Sequence, residues 1–360
     1  MADLQELRVR IDEIDKELAR LFAERMATAT EVADEKIRTN MPVLDATREA
    51  QVIERGLGRL NNAELAPYYR DFLQHLMGLS RQYQTARMGK DVVACQGVEG
   101  GFGYHVAQQL FSHARLTPLP TFEDVFKSVE EGQAAVGIVP FENSTTGEVA
   151  GVLDLCYSHN LFITGTYDLP VTQCLLGVPG ATLADIKTVT SHVQALEQSK
   201  RFLDSLQVQR KPAANTALAA QLVAEAGDKQ VAAIASTEAA ELYGLVPLVT
   251  DIATEADNTT RFIVISKTPK QEGERFALLA SVENTVGSLA QIIQTITSGG
   301  FNMENIKSRP MPHRPWEYYF YIELAGQMDA QRTTALLEKI QKVCLAVKPL
   351  GVFTRMHEED

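Results

Sequence analysis

The sequence predicts a multidomain protein in which an all-helical segment is followed by an α/β segment and a small βαββαβ segment. Residues 1–88 place apolar side chains at alternating steps of three and four, which indicates helices packed along their length. Residues 91–268 alternate short apolar runs with helical patterns, which is typical of mostly parallel sheets. Residues 274–355 have the element order of a ferredoxin-like fold. The length of 360 residues supports several cores, because 45% of the residues are hydrophobic.

The charge balance and the apolar runs limit what the protein binds and where it works. Acidic residues number 46 against 34 basic ones, and no Lys/Arg-rich run interrupts the formal charge of −12. We therefore expect no binding to nucleic acid or to anionic membranes. The first residues lack a basic and apolar leader, and no run approaches the roughly 18 apolar residues of a membrane helix. These features predict a cytoplasmic protein. The cysteines lie far apart in apolar runs and are expected to be buried free thiols: Cys95, Cys156, Cys174 and Cys344.

The first predicted helix carries an apolar seam that continues into basic residues. The seam consists of Leu4, Leu7, Ile11, Ile14, Leu18 and Leu21. Its next position is Arg25, and Lys36 lies within about 20° of the same helix face. A cation on a buried stripe is destabilising unless an anion meets it, so Arg25 is either paired internally or part of a ligand site. Arg8 lies about 100° around the helix and could join this groove only from a partner subunit.

Two further helices complete the first segment. A first helix of about 50 Å is too long to be covered by the rest of its segment, so we expect it to dimerise. Pro42 ends its pattern, and Asp45 is the expected N-cap of the second helix. The third helix follows Pro67, and on it Ser80 and Gln84 share a face. Taken singly, each of these polar residues could also be a solvated charge or a cap.

Taken together, the polar residues of the first segment resemble the site of an intertwined, all-helical chorismate mutase. The matching residues are Arg8, Arg25, Lys36, Asp45, Arg48, Glu49, Ser80 and Gln84. The resemblance implies that Arg25, with Arg8 of the other subunit, holds the two carboxylates of chorismate. Lys36 and Gln84 would donate to its ether oxygen, Glu49 and Asp45 would position the ring hydroxyl, and Arg48 and Ser80 would complete the pocket. The implied reaction is a rearrangement to prephenate that needs neither a cofactor nor a metal, because the enzyme holds the reactive conformer and stabilises the developing charge.

In the α/β segment, two predicted strands end in polar side chains. The apolar run 137–139 opens into Glu142, Asn143 and Ser144, and Thr259 and Thr260 precede Arg261 and the apolar run 262–265. Neighbouring hydroxyls beside an arginine can bind and protonate an oxygen of an anion. An ordinary turn rich in serine and threonine is the competing interpretation of the second stretch.

These two strand ends resemble the signature segments of prephenate dehydratase. The resemblance implies a two-lobed, periplasmic-binding-protein-like domain with its site between the lobes and crossovers near residues 167–170 and before Val246. Thr260 would protonate or hydrogen-bond the leaving hydroxyl of prephenate, Glu142, Asn143 and Gln198 would orient the dianion, and Arg261 would lie near its charge. Ser144 and Thr259 belong to the same segments.

Several positions of the α/β segment depart from that family. Gly101 and Gly103 stand where hydroxyl residues are usual, Gln173 replaces a frequent His, and Val193 replaces Pro after His192. His192 is expected to have a structural hydrogen-bonding role. The glycine loop is not a dinucleotide fingerprint, because the third small residue it would need is Val106.

The last segment resembles the ACT domain that ends many prephenate dehydratases. The resemblance implies that L-phenylalanine binds there, and the corresponding residues are Gly287, Ser288, Leu289, Ser308 and Arg309. Lys307 replaces an expected Glu in the second of these segments. With all three segments in this order, the chain is similar to the bifunctional chorismate mutase/prephenate dehydratases of phenylalanine biosynthesis.

Two other interpretations remain open at the level of sequence. One is a non-catalytic amino-acid sensor that dimerises through its helical segment. The glycine loop without hydroxyls, at Gly101 and Gly103, favours this sensor. The other interpretation keeps the mutase and has an impaired dehydratase. Arg25 and Lys36 in one groove argue against the sensor, since a simple coiled-coil dimer has no use for them. Following prephenate and phenylpyruvate separately after supplying chorismate distinguishes these interpretations.

Overall fold

The computed structural model of the chain describes residues 3–39, 45–87, 92–255, 258–311 and 316–357. The chain divides into two compact units, Met1–Val92 and Val93–Asp360. The predicted break at Pro42, the linker residues 88–90 and Asp257 lie outside the described residues.

The first unit is helical, as predicted. Its helices are α1 (Leu4–Thr39), α2 (Ala46–Gly58) and α3 (Ala66–Arg87), and a short 3-10 helix (Ala63–Leu65) precedes α3. Both α1 and α2 pack on α3, and small or apolar residues fill the contact: Ala29, Ala33, Leu73 and Met77. By contrast, the seam residues from Leu4 to Leu21 are between 46% and 62% exposed. The N-terminal half of α1 thus presents an apolar stripe that its own chain leaves in contact with water.

The second unit begins with alternating strands and helices. These are β1 (Val92–Gln96), α4 (Phe102–Leu110), β2 (Arg115–Leu119), α5 (Phe122–Glu130), β3 (Val136–Asn143), β4 (Gly147–Glu148), α6 (Val152–Ser158) and β5 (Phe162–Pro170). The strand β1 pairs parallel with β3, and their side chains are nearly all buried because helices cover this part of the sheet.

The next elements form a separate five-stranded sheet. They are β6 (Cys174–Gly177), a 3-10 helix (Leu183–Asp185), β7 (Thr188–His192), α7 (Val193–Gln198), α8 (Lys200–Leu206), β8 (Gln209–Ala213), α9 (Thr216–Ala226), β9 (Val231–Ala235), α10 (Thr237–Tyr243) and β10 (Val246–Val249). The strand order is β10-β6-β9-β7-β8. The chain then returns to the first sheet as β11 (Thr259–Ser266), which lies between β3 and β5. The return therefore follows β10 and does not precede Val246, because β10 pairs with β6 of the smaller sheet.

The C-terminal part has the predicted order of strands and helices. It consists of β12 (Gly273–Ser281), α11 (Ser288–Ser298), β13 (Asn302–Pro310), β14 (Tyr318–Met328), α12 (Ala330–Ile340) and β15 (Ala346–Arg355). We call residues 273–355 the C-terminal module. Its strand β15 pairs with β5 at Thr354 and Arg355, so that one ten-stranded sheet runs through the module and the first part of the unit.

A glycine allows this close approach between β15 and β5. Gly351 has φ +114, and a Cβ atom at this position would lie 2.9 Å from the carbonyl oxygen of Ile163. Any larger residue would be strained by its backbone conformation and would also collide with the neighbouring strand. Gly351 therefore helps to make the C-terminal module and the preceding strands a single compact unit.

Three of the four cysteines are buried as expected from the sequence, and Cys344 is less buried than expected. Cys95, Cys156 and Cys174 are buried and Cys344 is half-buried, all as free thiols. Burial raises the pKa of Cys95 and of Cys156 to about 12, so these thiols stay protonated and act as core residues. Across the described residues, no helix combines the length and apolar character that a membrane span requires.

Candidate active sites

Arg25 lies in the groove between α1 and α3 with neutral partners. Its guanidinium donates to Ser80 Oγ and, at 3.4 Å, to the carbonyl oxygen of Leu76. Ser80 is buried, and burial lowers the pKa of Arg25. Within the described part of the chain, no carboxylate lies at ion-pair distance from Arg25. The groove therefore contains a half-buried positive charge held in place by hydrogen bonds and available to an anion.

Other predicted residues of the helical site lie on the same three helices. Asp45 accepts a hydrogen bond from the Arg48 backbone N–H at 2.9 Å, which caps α2 as predicted. Glu49 is paired with Arg81 of α3 at 2.6 Å. Arg81 was not predicted from the sequence, although it directly follows Ser80 and arginine forms strong, directional hydrogen bonds with carboxylates.

Gln84 and Lys36 complete the set on α3 and α1, whereas Arg8 is distant. Gln84 is buried, and its Oε1 atom has no hydrogen-bond partner among the described residues. Lys36 is half-buried. Arg8 is exposed, and on the same helix it lies about 25 Å from Arg25 at 1.5 Å per residue. The printed contacts join Arg25 of α1 to Ser80 of α3 and Glu49 of α2 to Arg81 of α3, whereas Arg8 is not brought to this groove within one chain.

The second candidate site is built around a side-chain pair on neighbouring strands. Thr260 of β11 lies opposite Asn143 of β3. Asn143 Nδ2 donates to Thr260 Oγ1 at 3.0 Å and to Asn258 Oδ1 at 2.7 Å, while Asn143 Oδ1 accepts from Thr145 Oγ1 at 2.6 Å. Because the oxygen of Thr260 already accepts a hydrogen bond, its own hydrogen is directed elsewhere and can be donated to a ligand.

This pair lines a cavity of about 500 Å³ between the two sheets. Both sheets contribute polar side chains to its wall: Asn143, Gln173, His192, Gln194, Gln198, Asn215, Asn258 and Thr260. The helix α4 begins at this wall with Gly101 as its N-cap, and no side chain caps its first N–H groups. A helix N-terminus with uncapped N–H groups favours an anion. The cavity therefore combines a proton donor with a site for a negative charge.

Hydrogen bonds connect α7, which follows a strand of the smaller sheet, to the turn between β3 and β4 across one side of the cavity. Gln198 Nε2 donates to Thr145 Oγ1 at 3.2 Å, and Gln194 Nε2 donates to Thr146 Oγ1 at 2.8 Å. Gln198 Oε1 also accepts from Asn258 Nδ2 at 3.3 Å. The predicted residue Gln198 is thus linked through Asn258 to Asn143 and Thr260. Asn258 was not predicted, although it directly precedes Thr259 in the singled-out segment.

The residues that differ from the prephenate dehydratase segments also lie at or near this cavity. Gln173 is buried; its Nε2 atom lies 3.4 Å from Gln198 Oε1, and its Oε1 atom lacks a partner among the described residues. At Gly103, a Cβ atom would lie 3.0 Å from the carbonyl oxygen of Gln96, so this glycine has little room for a side chain. His192 Nδ1 accepts from the Gln194 backbone N–H at 3.3 Å, a structural hydrogen bond as predicted.

Glu142 and Arg261 lie on the other face of the same two strands. Side chains alternate along a strand, so the neighbours of Asn143 and Thr260 point away from the cavity. Arg261 Nε donates to Asp168 at 2.9 Å, and Glu142 is paired with Lys307 at 2.8 Å. Burial acts to lower the pKa of Arg261, but Asp168 and the other nearby carboxylates raise it on balance. Neither residue is among the described residues that line the cavity.

Ser144 and Thr259 connect the ends of β3 and β11 by backbone contacts. Ser144 N–H donates to the carbonyl oxygen of Thr259 at 2.8 Å, and Thr259 N–H donates to Ser144 Oγ at 2.9 Å. They hold the ends of the two strands together beside the Asn143–Thr260 pair.

The residues predicted to bind an amino acid are divided between α11 and β13. Gly287 precedes α11 with φ +89 and is its N-cap without a side-chain cap. Ser288 Oγ shares a hydrogen bond of 2.7 Å with Thr285, and Leu289 is half-buried. Arg309, which follows Ser308 on β13, pairs with Asp154 at 2.5 Å. Among the described residues, no group of three His, Cys, Asp or Glu side chains could share a metal ion.

The sequence matches two families and full-length relatives. The family described as chorismate mutase type II matches residues 7–85, and the family described as prephenate dehydratase matches residues 93–270. A bifunctional chorismate mutase/prephenate dehydratase of Pseudomonas aeruginosa is 32% identical over 372 residues and covers 99% of both chains.

Solved structures with a similar fold cover about three quarters of the chain. A prephenate dehydratase from Arthrobacter aurescens in complex with L-Phe has a TM-score of 0.67 and 27% identity over 73% of this chain and 90% of that chain. A structure described as GqqA, a novel type of quorum quenching acylase, has a TM-score of 0.67 and 29% identity over 74% of this chain and 98% of that chain.

Proposed function

Because this chain belongs to the family of bifunctional chorismate mutase/prephenate dehydratases, we propose that its helical unit and its cavity between two sheets carry the two reactions separately. The enzyme rearranges chorismate to prephenate and then decarboxylates and dehydrates prephenate to phenylpyruvate, in the biosynthesis of phenylalanine. The observation that supports the residue assignments most directly is the Thr260 hydroxyl, held by Asn143 at the wall of the cavity.

For the mutase, Arg25 binds a carboxylate of chorismate. Its charge has only neutral partners among the described residues, so an anionic ligand supplies the missing counter-charge. Gln84 and Lys36 donate to the ether oxygen as negative charge develops there, and Glu49, oriented by Arg81, accepts from the ring hydroxyl. Asp45 and Arg48 hold the start of α2 beside them, and Ser80 orients the Arg25 guanidinium.

The same unit forms a homodimer through α1. The exposed stripe from Leu4 to Leu21 has the spacing of a helix–helix seam, and burying it against a second copy removes a large apolar surface from water. A partner running antiparallel would also bring its Arg8 toward the groove of Arg25. Sedimentation of the full chain is expected to give twice the mass of one chain, and a monomer would contradict the assignment of Arg8.

For the dehydratase, Thr260 protonates or hydrogen-bonds the departing hydroxyl of prephenate. The bond between the ring carbon and this oxygen breaks, the ring carboxylate leaves as CO₂, and the electron pair it releases makes the ring aromatic. The hydroxide takes up a proton and leaves as water. A Thr hydroxyl is a weak acid, but the hydrogen bond from Asn143 stabilises negative charge on its oxygen and makes donation easier.

The remaining polar groups of the cavity hold the prephenate dianion. The uncapped start of α4 at Gly101 receives a carboxylate through backbone N–H groups, so the hydroxyl residues usual in this loop are not required. Gln198 and Asn258 orient the substrate from the opposite wall. The two sheets act as two lobes that open to admit prephenate and close through the hydrogen bonds of Gln194 and Gln198 to Thr146 and Thr145.

The C-terminal module is an ACT domain that binds L-phenylalanine and inhibits dehydration. The backbone N–H groups that follow Gly287 favour the carboxylate of an amino acid, and the missing side chain allows a close approach. Ser288, Leu289, Ser308 and Arg309 are the other proposed contacts. Lys307 reverses the charge expected beside Ser308. We therefore expect L-phenylalanine to bind, and we expect the inhibition of dehydration that it causes to be weak.

Calorimetry on Gly287→Val tests the regulatory proposal. The parent is expected to release or absorb heat with L-phenylalanine, and the variant is expected to bind at least about tenfold more weakly, because a β-branched residue at φ +89 distorts the helix start. Gly300→Val is the matched control, since Gly300 lies at the other end of α11 with φ +76 and open space around it. No heat with the parent, or equal affinity in all three proteins, would remove the regulatory claim and leave both catalytic assignments in place.

Product analysis tests the two catalytic activities. Chorismate is supplied to the full chain, and prephenate and phenylpyruvate are followed separately by absorbance. We expect prephenate to rise first and phenylpyruvate to follow it. Prephenate that accumulates without phenylpyruvate would leave only the mutase, and neither product would favour a non-catalytic amino-acid sensor.

A further inference from the structure

The strand pair that carries Asn143 and Thr260 has two opposite charges on the face turned away from the cavity. We call this face of β3 and β11 the back face. Glu142 and Arg261 lie directly opposite each other on it, in the same register in which Asn143 lies opposite Thr260 on the cavity side. Any shift of the back-face residues therefore moves the catalytic pair, because they are consecutive residues of the same two strands.

The C-terminal module places a residue of opposite charge beside Glu142 and another beside Arg261. Lys307 of β13 pairs with Glu142 at 2.8 Å, and their side chains are only 15% and 30% exposed. Glu323 of β14 lies 3.9 Å from Arg261 and is itself held by Arg275 at 2.8 Å. Two neighbouring strands of the module, β13 and β14, thus contact the two strands of the catalytic pair through opposite charges.

Aromatic packing makes the Lys307–Glu142 contact rigid. The Lys307 ammonium lies 5.2 Å from the centre of the Phe141 ring, and the Phe141 and Tyr321 rings are 5.2 Å apart. Phe141 and Tyr321 are both buried. A charge pair enclosed by aromatic rings is less screened by water than one on the surface, so its geometry is better defined.

We propose that Lys307 is a positioning residue for the dehydration step. By fixing Glu142 it fixes the end of β3, and it thereby keeps Asn143 Nδ2 directed at Thr260 Oγ1. The proposal rests on the assignment of Thr260 as the proton donor. Glu142 then has a structural task on the back face, which agrees with its position outside the cavity wall. With the Glu that the family resemblance predicts at position 307, this lysine–carboxylate pair would not form.

Loss of this pair is expected to lower the rate of chemistry and not the affinity for prephenate. A displacement of about 1 Å in a catalytic group can lower the rate by about 10²-fold, and a displacement of Asn143 that leaves it partly engaged has a smaller effect. We expect Lys307→Met to lower kcat for prephenate about tenfold with KM within about twofold of the parent. Prephenate formation from chorismate is expected to stay unchanged, because Lys307 belongs to the other unit.

The experiment compares full-length variants supplied with prephenate. Lys307→Met and Lys307→Glu remove or reverse the charge, Lys307→Arg keeps it, and Lys307→Glu combined with Glu142→Lys exchanges the two partners. Lys342→Met is the matched control, because Lys342 is an exposed lysine of the same module. The mutase rate of each protein reports whether the chain is folded and correctly quantified.

The expected order of kcat is Lys307→Glu below Lys307→Met, with Lys307→Arg, the exchanged pair and Lys342→Met close to the parent. Rescue by the exchanged pair is the decisive readout, since a Glu142 that bound prephenate could not be replaced by Lys. A kcat of Lys307→Met equal to that of the parent, or no rescue by the exchange, overturns the positioning role while leaving the dehydratase itself established. A parent that does not convert prephenate overturns both this inference and the proposed dehydratase.

Discussion

Arg25→Ala is expected to lower prephenate formation from chorismate by about 10²-fold or more while dehydration of supplied prephenate continues at the parent rate. The guanidinium is the half-buried positive charge of the groove between α1 and α3, and it has only neutral hydrogen-bond partners among the described residues. Without it, one carboxylate of chorismate has no counter-charge, and the reactive conformer is no longer held. The measurement is the initial rate of chorismate loss together with the rate of phenylpyruvate formation from added prephenate. Lys36→Ala is expected to give the same pattern.

Arg20→Ala is the matched control for this prediction. Arg20 lies on the same helix, and its side chain is 58% exposed and pairs with Glu17 and Glu24. Its loss is expected to change the mutase rate less than about twofold, because exposed pairs contribute little to stability. Mutase activity that survives in both Arg25→Ala and Lys36→Ala would refute the site in the helical groove.

Thr260→Val is expected to lower phenylpyruvate formation by about 10²-fold or more and to leave the mutase unchanged. Valine keeps the shape of threonine but removes the hydroxyl that Asn143 orients toward the cavity. Binding of prephenate should persist, because the start of α4, Gln198 and Asn258 are unaltered. The measurement is kcat and KM for prephenate, with the loss expected in kcat.

Thr190→Val provides a control for the change of residue type. Thr190 is half-buried on β7 of the other sheet and is not among the described residues that line the cavity. This variant should dehydrate prephenate at the parent rate. If Thr260→Val does so as well, Thr260 is an ordinary turn residue and the proposed proton donor lies elsewhere.

The sequence predicted the features that depend on local spacing. The three-and-four pattern of α1 and the capping position of Asp45 follow from helix geometry alone, and the structure has both. The polar ends of β3 and β11 were recognisable because apolar runs change abruptly to polar side chains there. Antiparallel pairing of β3 with β11 then brings Asn143 and Thr260 together.

Features that depend on which surfaces meet were not predictable from one sequence. Arg261 was expected near the substrate because it adjoins Thr260, but adjacency along a strand places two side chains on opposite faces. The strands β13 and β14 bring Lys307 and Glu323 to the back face, where Glu142 and Arg261 meet them. These partners lie far along the chain from Glu142 and Arg261, so no local sequence pattern predicts the two ion pairs.

The pairing of β15 with β5 was also not predictable from one sequence, because it depends on which surfaces of the chain meet. The sequence patterns indicated separate segments for residues 91–268 and 274–355, since each has its own alternation of strands and helices. The contact between Thr354 and Gly165 joins them through backbone groups, and it depends on the conformation of Gly351. Side-chain patterns predict poorly which distant strands pair through their backbones.

The most direct test of the account is a mixing experiment, because its central claim is that two independent sites on one chain act in succession. Arg25→Ala and Thr260→Val are each supplied with chorismate alone and then together in equal amounts, and phenylpyruvate is measured. Either variant alone should form it about 10²-fold or more slowly than the parent, since one makes little prephenate and the other dehydrates it slowly. The mixture should form it at a rate approaching that of the parent, because prephenate released by one chain reaches the intact cavity of the other. A mixture that remains inactive while the parent is active would contradict the assignment of the two reactions to separate sites.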